Sequence, residues 1–337
     1  MKRKIFSMVN YMSILVIILA SLTGESFGKE KISFTLNYIW HAQHTIILPA
    51  SGKGFYSEEG LDVEIKKGIA SGDTVKRVDV GTTTFGLADT SSVIEAMAAG
   101  AKIKIIGMLQ VKPPHTLFVL KSSGINKPKD LEGKTIGGPP TDANIIVFPV
   151  FAELTGIDRS KVKIVSIDVA AKTPMLLAKK IDCAGFFIDA YPRIERGALK
   201  QNDSIITFKY YDYGFKAYGL ALIASEKLVK ENPELIKKFL RATYKGILWS
   251  MENYNESVEV TMKMIPEVDR ELMEKGGKMT FDLILAPEVY EKGIGWISKE
   301  KMEYSRDIFS KYANLPKLVP VDEIYTNQFL PNLFPKK

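Results

Sequence analysis

The chain has 337 residues, 46% of them hydrophobic and 25% charged, which are ordinary globular proportions and enough length for two domains or one large one. Its net charge of +7 comes from Lys and Glu interleaved along the chain without a dense basic patch, which argues against a nucleic-acid-binding surface. The lone cysteine, Cys183, excludes an intrachain disulfide, and its apolar surroundings (IDCAGFF, 181–187) predict a buried strand residue rather than a reactive thiol.

Residues 1–28 read as a secretory signal. Lys2, Arg3 and Lys4 form the basic end, MSILVIILA (12–20) the apolar stretch, and Ser26 and Gly28 the small residues before a cut at Lys29. The apolar run is shorter than the ~20 residues of a spanning helix, so an uncleaved anchor is the lesser alternative. From Lys31 onward strands and helices alternate, as in an α/β protein. A strand at 32–36 runs into the aromatic turn Tyr38, Ile39, Trp40, His41, and 45–53 reads as helical despite Pro49. A strand at 61–66 leads through the small-residue loop 68–74 into a short helix; strands at 84–88 and 103–109 flank a helix at 91–99. A second series follows, with strands at 117–120, 134–137, 162–167 and 183–188 and a helix at 170–179. Beyond a last strand at 219–224 the chain is mostly helical. Asn232-Pro233-Glu234 starts one helix by cap, proline and acid, and others cover 269–281 and 299–312.

DLEGKTIGGPPTDAN, residues 130–144, is the focal stretch: strand, Gly-Gly-Pro-Pro turn, and a helix beginning near Thr141 or Asp142. A helix start leaves backbone N–H groups that can cradle polar ligand groups. Gly133-Lys134-Thr135 mimics the end of a P-loop, but Pro128 stands where that motif needs glycine, so nucleotide hydrolysis by a P-loop is rejected.

The candidate ligand contacts lie at strand ends and loop-to-helix entries. Trp40, with Tyr38 and His44, can stack on a planar ligand, or pack under the following helix. Ser71, Gly72, Asp73 and Thr74 form one entry and Thr141 and Asp142 another; each Asp either meets ligand or caps its helix. Asp89 and Thr90 end one strand, Asp189 and Tyr191 another, and Tyr213 can close an aromatic wall. His41 and His44 are three apart, but with only His115 elsewhere and no thiol near, no metal site is expected. These candidates carry four Asp and neither Arg nor Lys, which suits a neutral or cationic heterocycle with N–H donors better than an anion.

Five segments in order carry a family resemblance: GFYSEEGLDV (54–63), FGLAD (85–89), DLEGKTIG (130–137), NPE (232–234) and YTNQFLP (325–331). They resemble the substrate-binding proteins of ABC importers, in the branch of nitrate, alkanesulfonate and taurine binders and of thiamine-pyrimidine-precursor binders. The resemblance implies a type II, two-lobed clamshell, each lobe a mixed sheet flanked by helices. Lobe 1 would be 29–112 plus 218–337 and lobe 2 113–217, hinged near 111–116 and 214–219. It implies a periplasmic or secreted monomer, without cofactor, that closes on a small molecule and passes it to permease and ATPase subunits. The expected ligand is an aromatic nitrogen heterocycle such as a thiamine pyrimidine precursor. A nitrate, sulfonate or taurine-type anion is the alternative, and a periplasmic sensor shares the same shape. A pyrimidine synthase also shares the fold, but it resembles this chain less in chemistry: it needs a cofactor-binding Lys and His in the first lobe and a Cys-rich iron-binding segment, which one cysteine cannot supply.

Overall fold

Sheet A is built from both ends of the chain, in the order β2-β1-β3-β10-β4: β1 (Glu30–Thr35), β2 (Leu61–Lys66), β3 (Phe85–Asp89), β4 (Ile103–Met108) and β10 (Leu220–Ser225). Sheet B takes the middle, in the order β7-β6-β8-β5-β9: β5 (His115–Leu120), β6 (Thr135–Gly137), β7 (Lys163–Val165), β8 (Cys183–Phe187) and β9 (Ile205–Lys209). The computed structural model describes residues 28–313 and 315–336, so the secretory-signal reading of 1–28 lies, except for Gly28, outside the described residues. Central strands such as β3 and β5 are buried at every position, with polar residues only at one end of each, whereas edge strand β2 buries only Leu61 and alternates thereafter.

Each sheet is mixed in the same way. In sheet A β1 pairs parallel with β3, and β10 is antiparallel to both β3 and β4. In sheet B β6 pairs parallel with β7 and β8, and β5 is antiparallel to β8 and β9. The chain therefore crosses between sheets twice, after β4 and before β10.

Among the described residues nine helices matter for the site and its surroundings, some of them started by a polar side-chain cap. They are α1 (Ser71–Asp79), α2 (Thr90–Ala98), α3 (Ala143–Thr155), α4 (Lys172–Leu177), α5 (Tyr191–Leu199), α6 (Pro233–Glu252), α7 (Tyr254–Met264), α8 (Arg270–Lys278) and α9 (Lys299–Tyr312). Asp89 caps α2 through the Ser91 amide at 3.0 Å, Asp142 caps α3 through Asn144 at 2.8 Å, and Asn232 caps α6 through Leu235 at 3.1 Å. α6 presses Phe239 flat on Phe85, ring centroids 3.9 Å apart, and edge-on to Phe34. Among the described residues no helix is long and apolar enough to cross a membrane.

Three sequence expectations shift. Helix α7 had no apolar signature, because its buried positions include Ser257 and Thr261. The expected helix at 170–179 starts at Lys172, behind a 3-10 turn Val169–Ala171, and ends before Lys179, whose φ of 57° is left-handed. The strand at 162–167 shrinks to β7. One close approach joins the sheets: a Cβ on Gly276 of α8 would lie 2.3 Å from the Asp189 carbonyl oxygen after β8 and 2.5 Å from the Ala42 Cβ after β1.

Candidate ligand-binding site

The carboxyl ends of β1 and β8 meet the starts of α1, α3 and α4 around one cavity, about 380 Å³ when the solvent at its mouth is counted. Asn37, Tyr38 and His41 reach it from the segment after β1, and Ala70 and Ser71 from the entry to α1. Asp142 and Asn144 reach it from the start of α3, Lys172 from the start of α4, and Phe186, Asp189 and Arg193 from β8 and the α5 region. Side chains hung from both sheets thus enclose one space.

Its electrostatics rest on two buried contacts. The Lys172 ammonium, 1% exposed, pairs with the Asp142 carboxylate and lies 4.3 Å from the Phe186 ring centroid and 5.6 Å from that of Tyr38. Burial pulls the Lys172 pKa down, but Asp142 and Tyr38 outweigh it and the net direction is upward, so the ammonium stays charged. The Tyr38 hydroxyl is raised, chiefly by burial. In the second contact Asp189 Oδ2 lies 2.6 Å from His41 Nδ1 and accepts the Gln43 amide at 2.9 Å. Burial opposes ionisation of Asp189, yet His41, that amide and Arg193 more than offset it and its pKa is lowered. Asp142 and Asp189 balance Lys172 and Arg193, so these charges sum to zero. Among the lining atoms, His41 Nε2, Asp189 Oδ1 and Arg193 Nε are buried without a hydrogen-bond partner. Such atoms are rare in proteins, and cluster where a ligand or water supplies the partner.

The expected residues divide. Tyr38, Ser71, Asp142 and Asp189 line the cavity. Trp40 does not; it forms the apolar wall of an adjoining outer cavity with Val268, Leu272 and Met273, which shares His41, Asp189 and Arg193 with the inner one. His44 is fully buried beneath them, its ring centroid 4.4 Å from His41 and 6.0 Å from Trp40. Gly72 bonds across to the other sheet, its amide donating to the Thr141 carbonyl at 3.3 Å, and neither residue lines the cavity. Asp73 turns outward to Arg77 at 2.8 Å, one helical turn away, and Thr74 donates to the Leu36 carbonyl at 2.8 Å. Asp89 is buried against His115 at 3.3 Å and Thr90 donates to the Gly219 carbonyl at 2.7 Å, so both brace the two chain crossings rather than the cavity. Tyr191 donates to Glu195 at 3.1 Å on its own helix, and Tyr213 is 37% exposed, edge-on to Phe151.

Two broader expectations are corrected. The start of α3 is no open cradle, because Asp142 itself takes the amide of Asn144 with its side chain and those of Ile145 and Ile146 with its carbonyl. The absence of Lys and Arg is also wrong: Lys172 and Arg193 both line the space. One signal pointed to Lys172, a cation in the first turn of a helix, where the dipole disfavours it unless an anion is near. Among the described residues no group of three or more His, Cys, Asp or Glu could hold a metal ion. Cys183 is buried, and burial raises its thiol pKa far above the usual value.

His44 gives the region a pH signature. Burial foremost, then His41, holds its pKa well below 6.5, so it stays neutral in the fold. The contribution is complete above an unfolded value of about 6.5 and is lost as pH falls toward the folded one, at up to about 1.4 kcal/mol per pH unit. Urea melts between about pH 7 and pH 5 should show this slope, and H44Q should flatten it. Parallel curves for the two proteins would refute the assignment.

A family model described as NMT1/THI5 like matches residues 41–257, more than half of the chain and most of both sheets. The chain belongs to the NMT1/THI5-like family. One relative of this NMT1/THI5-like chain, 27% identical over 311 residues (90% of this chain, 93% of the relative), is the 4-amino-5-hydroxymethyl-2-methylpyrimidine phosphate synthase of Legionella pneumophila. Another, 24% identical over 330 residues (92% and 99%), is the formylaminopyrimidine-binding protein of Halalkalibacterium halodurans. Among solved structures it is similar to the alkanesulfonate-binding protein SsuA of Xanthomonas axonopodis bound to MOPS, at a TM-score of 0.67 and 15% identity over 88% of this chain and 98% of that one. It is also similar to the aliphatic sulphonate binding protein of Escherichia coli, at 0.68 and 14% over 91% and 94%. These likenesses establish the fold: the NMT1/THI5-like chain has the two-lobed architecture of periplasmic binding proteins, each lobe one of the mixed sheets.

Proposed function

We propose that this NMT1/THI5-like protein is an exported, monomeric substrate-binding protein that captures a small aromatic nitrogen heterocycle, of the aminopyrimidine type, and delivers it to the permease and ATPase of an ABC importer. The observation that carries the reading is the cavity, whose aromatic rings, balanced charges and unpartnered polar atoms come from both sheets. Flat rings offer stacking, the unpartnered His41, Asp189 and Arg193 atoms offer directional hydrogen bonds, and the zero charge sum favours a neutral ligand over a sulfonate or nitrate. Residues 29–112 with 218–337 form one lobe and 113–217 the other. They close about 111–116 and 214–219, where the contacts of Asp89 with His115 and of Thr90 with Gly219 hold the crossings. Closure follows from contacts to ligand on both sides of the cleft.

The synthase relative favours an enzyme as the second reading. An imine with pyridoxal phosphate would need a free lysine, but the sheet A side of the cavity offers Asn37, Tyr38, His41, Ala70 and Ser71, and the lysine opposite, Lys172, is committed to Asp142. The lining does not fit that cofactor. Native mass spectrometry of protein purified without refolding, followed by calorimetry with aminopyrimidines and sulfonates, tests the reading; saturable, turnover-free binding of an aminopyrimidine is expected. Binding of sulfonates alone, or release of a pyrimidine phosphate on incubation with pyridoxal phosphate and iron, would overturn it.

A further inference from the structure

Lys172 is misplaced by every local rule. It stands in the first turn of α4, where the helix dipole repels a cation, and it is buried, where an ammonium loses its hydration. What holds it is a carboxylate from α3, a Phe186 ring from sheet B and a Tyr38 ring from the segment after β1. An anion together with aromatic rings is the set of groups that proteins use to bind alkylammonium ligands. Here the chain's own side chain fills that place, inside the cavity and in touch with residues from both sheets.

We propose that Lys172 is a specificity-determining residue: a tethered cation that occupies the ammonium subsite of the cavity and neutralises Asp142, so that the site admits neutral heterocycles and excludes cationic ones. The inference rests on the heterocycle-binding reading above and narrows it to one charge class. Removing Lys172 while keeping Asp142 leaves a buried unpaired carboxylate beside the Tyr38 and Phe186 rings, which an external cation can satisfy. Arg193, 5.3 Å from the Phe186 ring centroid, adds a second positive charge against a cationic ligand.

The test has two arms. In the first, calorimetry compares two ligands of equal size, the 5-hydroxymethyl and 5-aminomethyl derivatives of 4-amino-2-methylpyrimidine, the latter carrying an ammonium group. Wild type should prefer the hydroxymethyl compound by roughly tenfold or more, K172M should move the ratio toward the aminomethyl compound by a similar factor, and D142N/K172M should lose that gain. In the second arm, n-butylammonium chloride should raise the Tm of K172A by roughly 3 °C or more over sodium chloride at equal ionic strength, and leave wild type unmoved. An unchanged ratio in K172M, or no rescue of K172A, overturns the inference. If wild type binds neither pyrimidine but the amine rescues K172A, the heterocycle reading falls while Lys172 keeps its role as occupant of the subsite. If the single variants do not fold in sodium chloride, n-butylammonium chloride decides: recovery of folded K172A in the amine supports the inference, and no recovery overturns it.

Discussion

Replacing Asp142 by alanine is expected to destabilise the protein by roughly 3–5 kcal/mol, because it leaves the Lys172 ammonium buried without its counter-charge. The same substitution removes the side-chain cap of α3, worth about 1 kcal/mol on its own. The two losses can be told apart. D142N keeps an oxygen for the Asn144 amide but no charge, so it should recover the capping share alone. D142A/K172M, which empties the subsite of both charges, should be more stable than D142A, since a buried pair exchanged for neutral groups is often harmless. Urea denaturation of wild type, D142A, K172M and D142A/K172M closes the cycle, with D142N measured beside them. If D142A shifts the midpoint no further than an ordinary cap mutation, the buried pair is not what holds these elements together.

Asp189→Ala should weaken ligand binding by about a hundredfold, the ~3 kcal/mol expected for losing buried hydrogen bonds to a carboxylate. Asp189 stands after β8 of sheet B, while its partners His41 and the Gln43 amide follow β1 of sheet A. The contact therefore joins the two halves around the cavity, and its loss should appear in affinity more than in the melting of ligand-free protein. It also carries a pH signature of known sign. The Asp189 pKa is lowered in the fold, so its contribution is complete above an unfolded value of about 3.9 and disappears as pH falls through the lower folded value. The acid limb of the stability curve should therefore be shallower in D189A. Calorimetry with an aminopyrimidine ligand checks the first effect; an affinity within threefold of wild type, about 0.7 kcal/mol, would remove Asp189 from the closing contact.

Much of this protein could be read from residues near one another in the chain. The strands expected at 84–88 and 61–66 formed as β3 and β2. Asn232-Pro233-Glu234 marked a helix start, and the ordered motifs from 54–63 to 325–331 pointed to the two-lobed fold and its family. Asp142 was legible both as a cap and as a cavity residue, because a strand-turn-helix places its cap at the carboxyl end of the sheet. Local reading failed where polar residues carry buried faces, as Ser257 and Thr261 do in α7.

The focal stretch 130–144 is thus a boundary between the two kinds of information. By itself it determined a strand, a turn and a capped helix. Only the tertiary structure decided that Asp142 answers Lys172, 30 residues away, that Arg193 shares the space, and that Trp40 stands in the outer cavity. It also decided that Asp89 turns to His115 at the crossing rather than to a ligand. The physical reason is that propensity, periodicity and capping act within a few residues, whereas the partner of a buried charge is set by how helices pack on a shared sheet. Strand order and crossover, not spacing along the chain, bring the starts of α3 and α4 together.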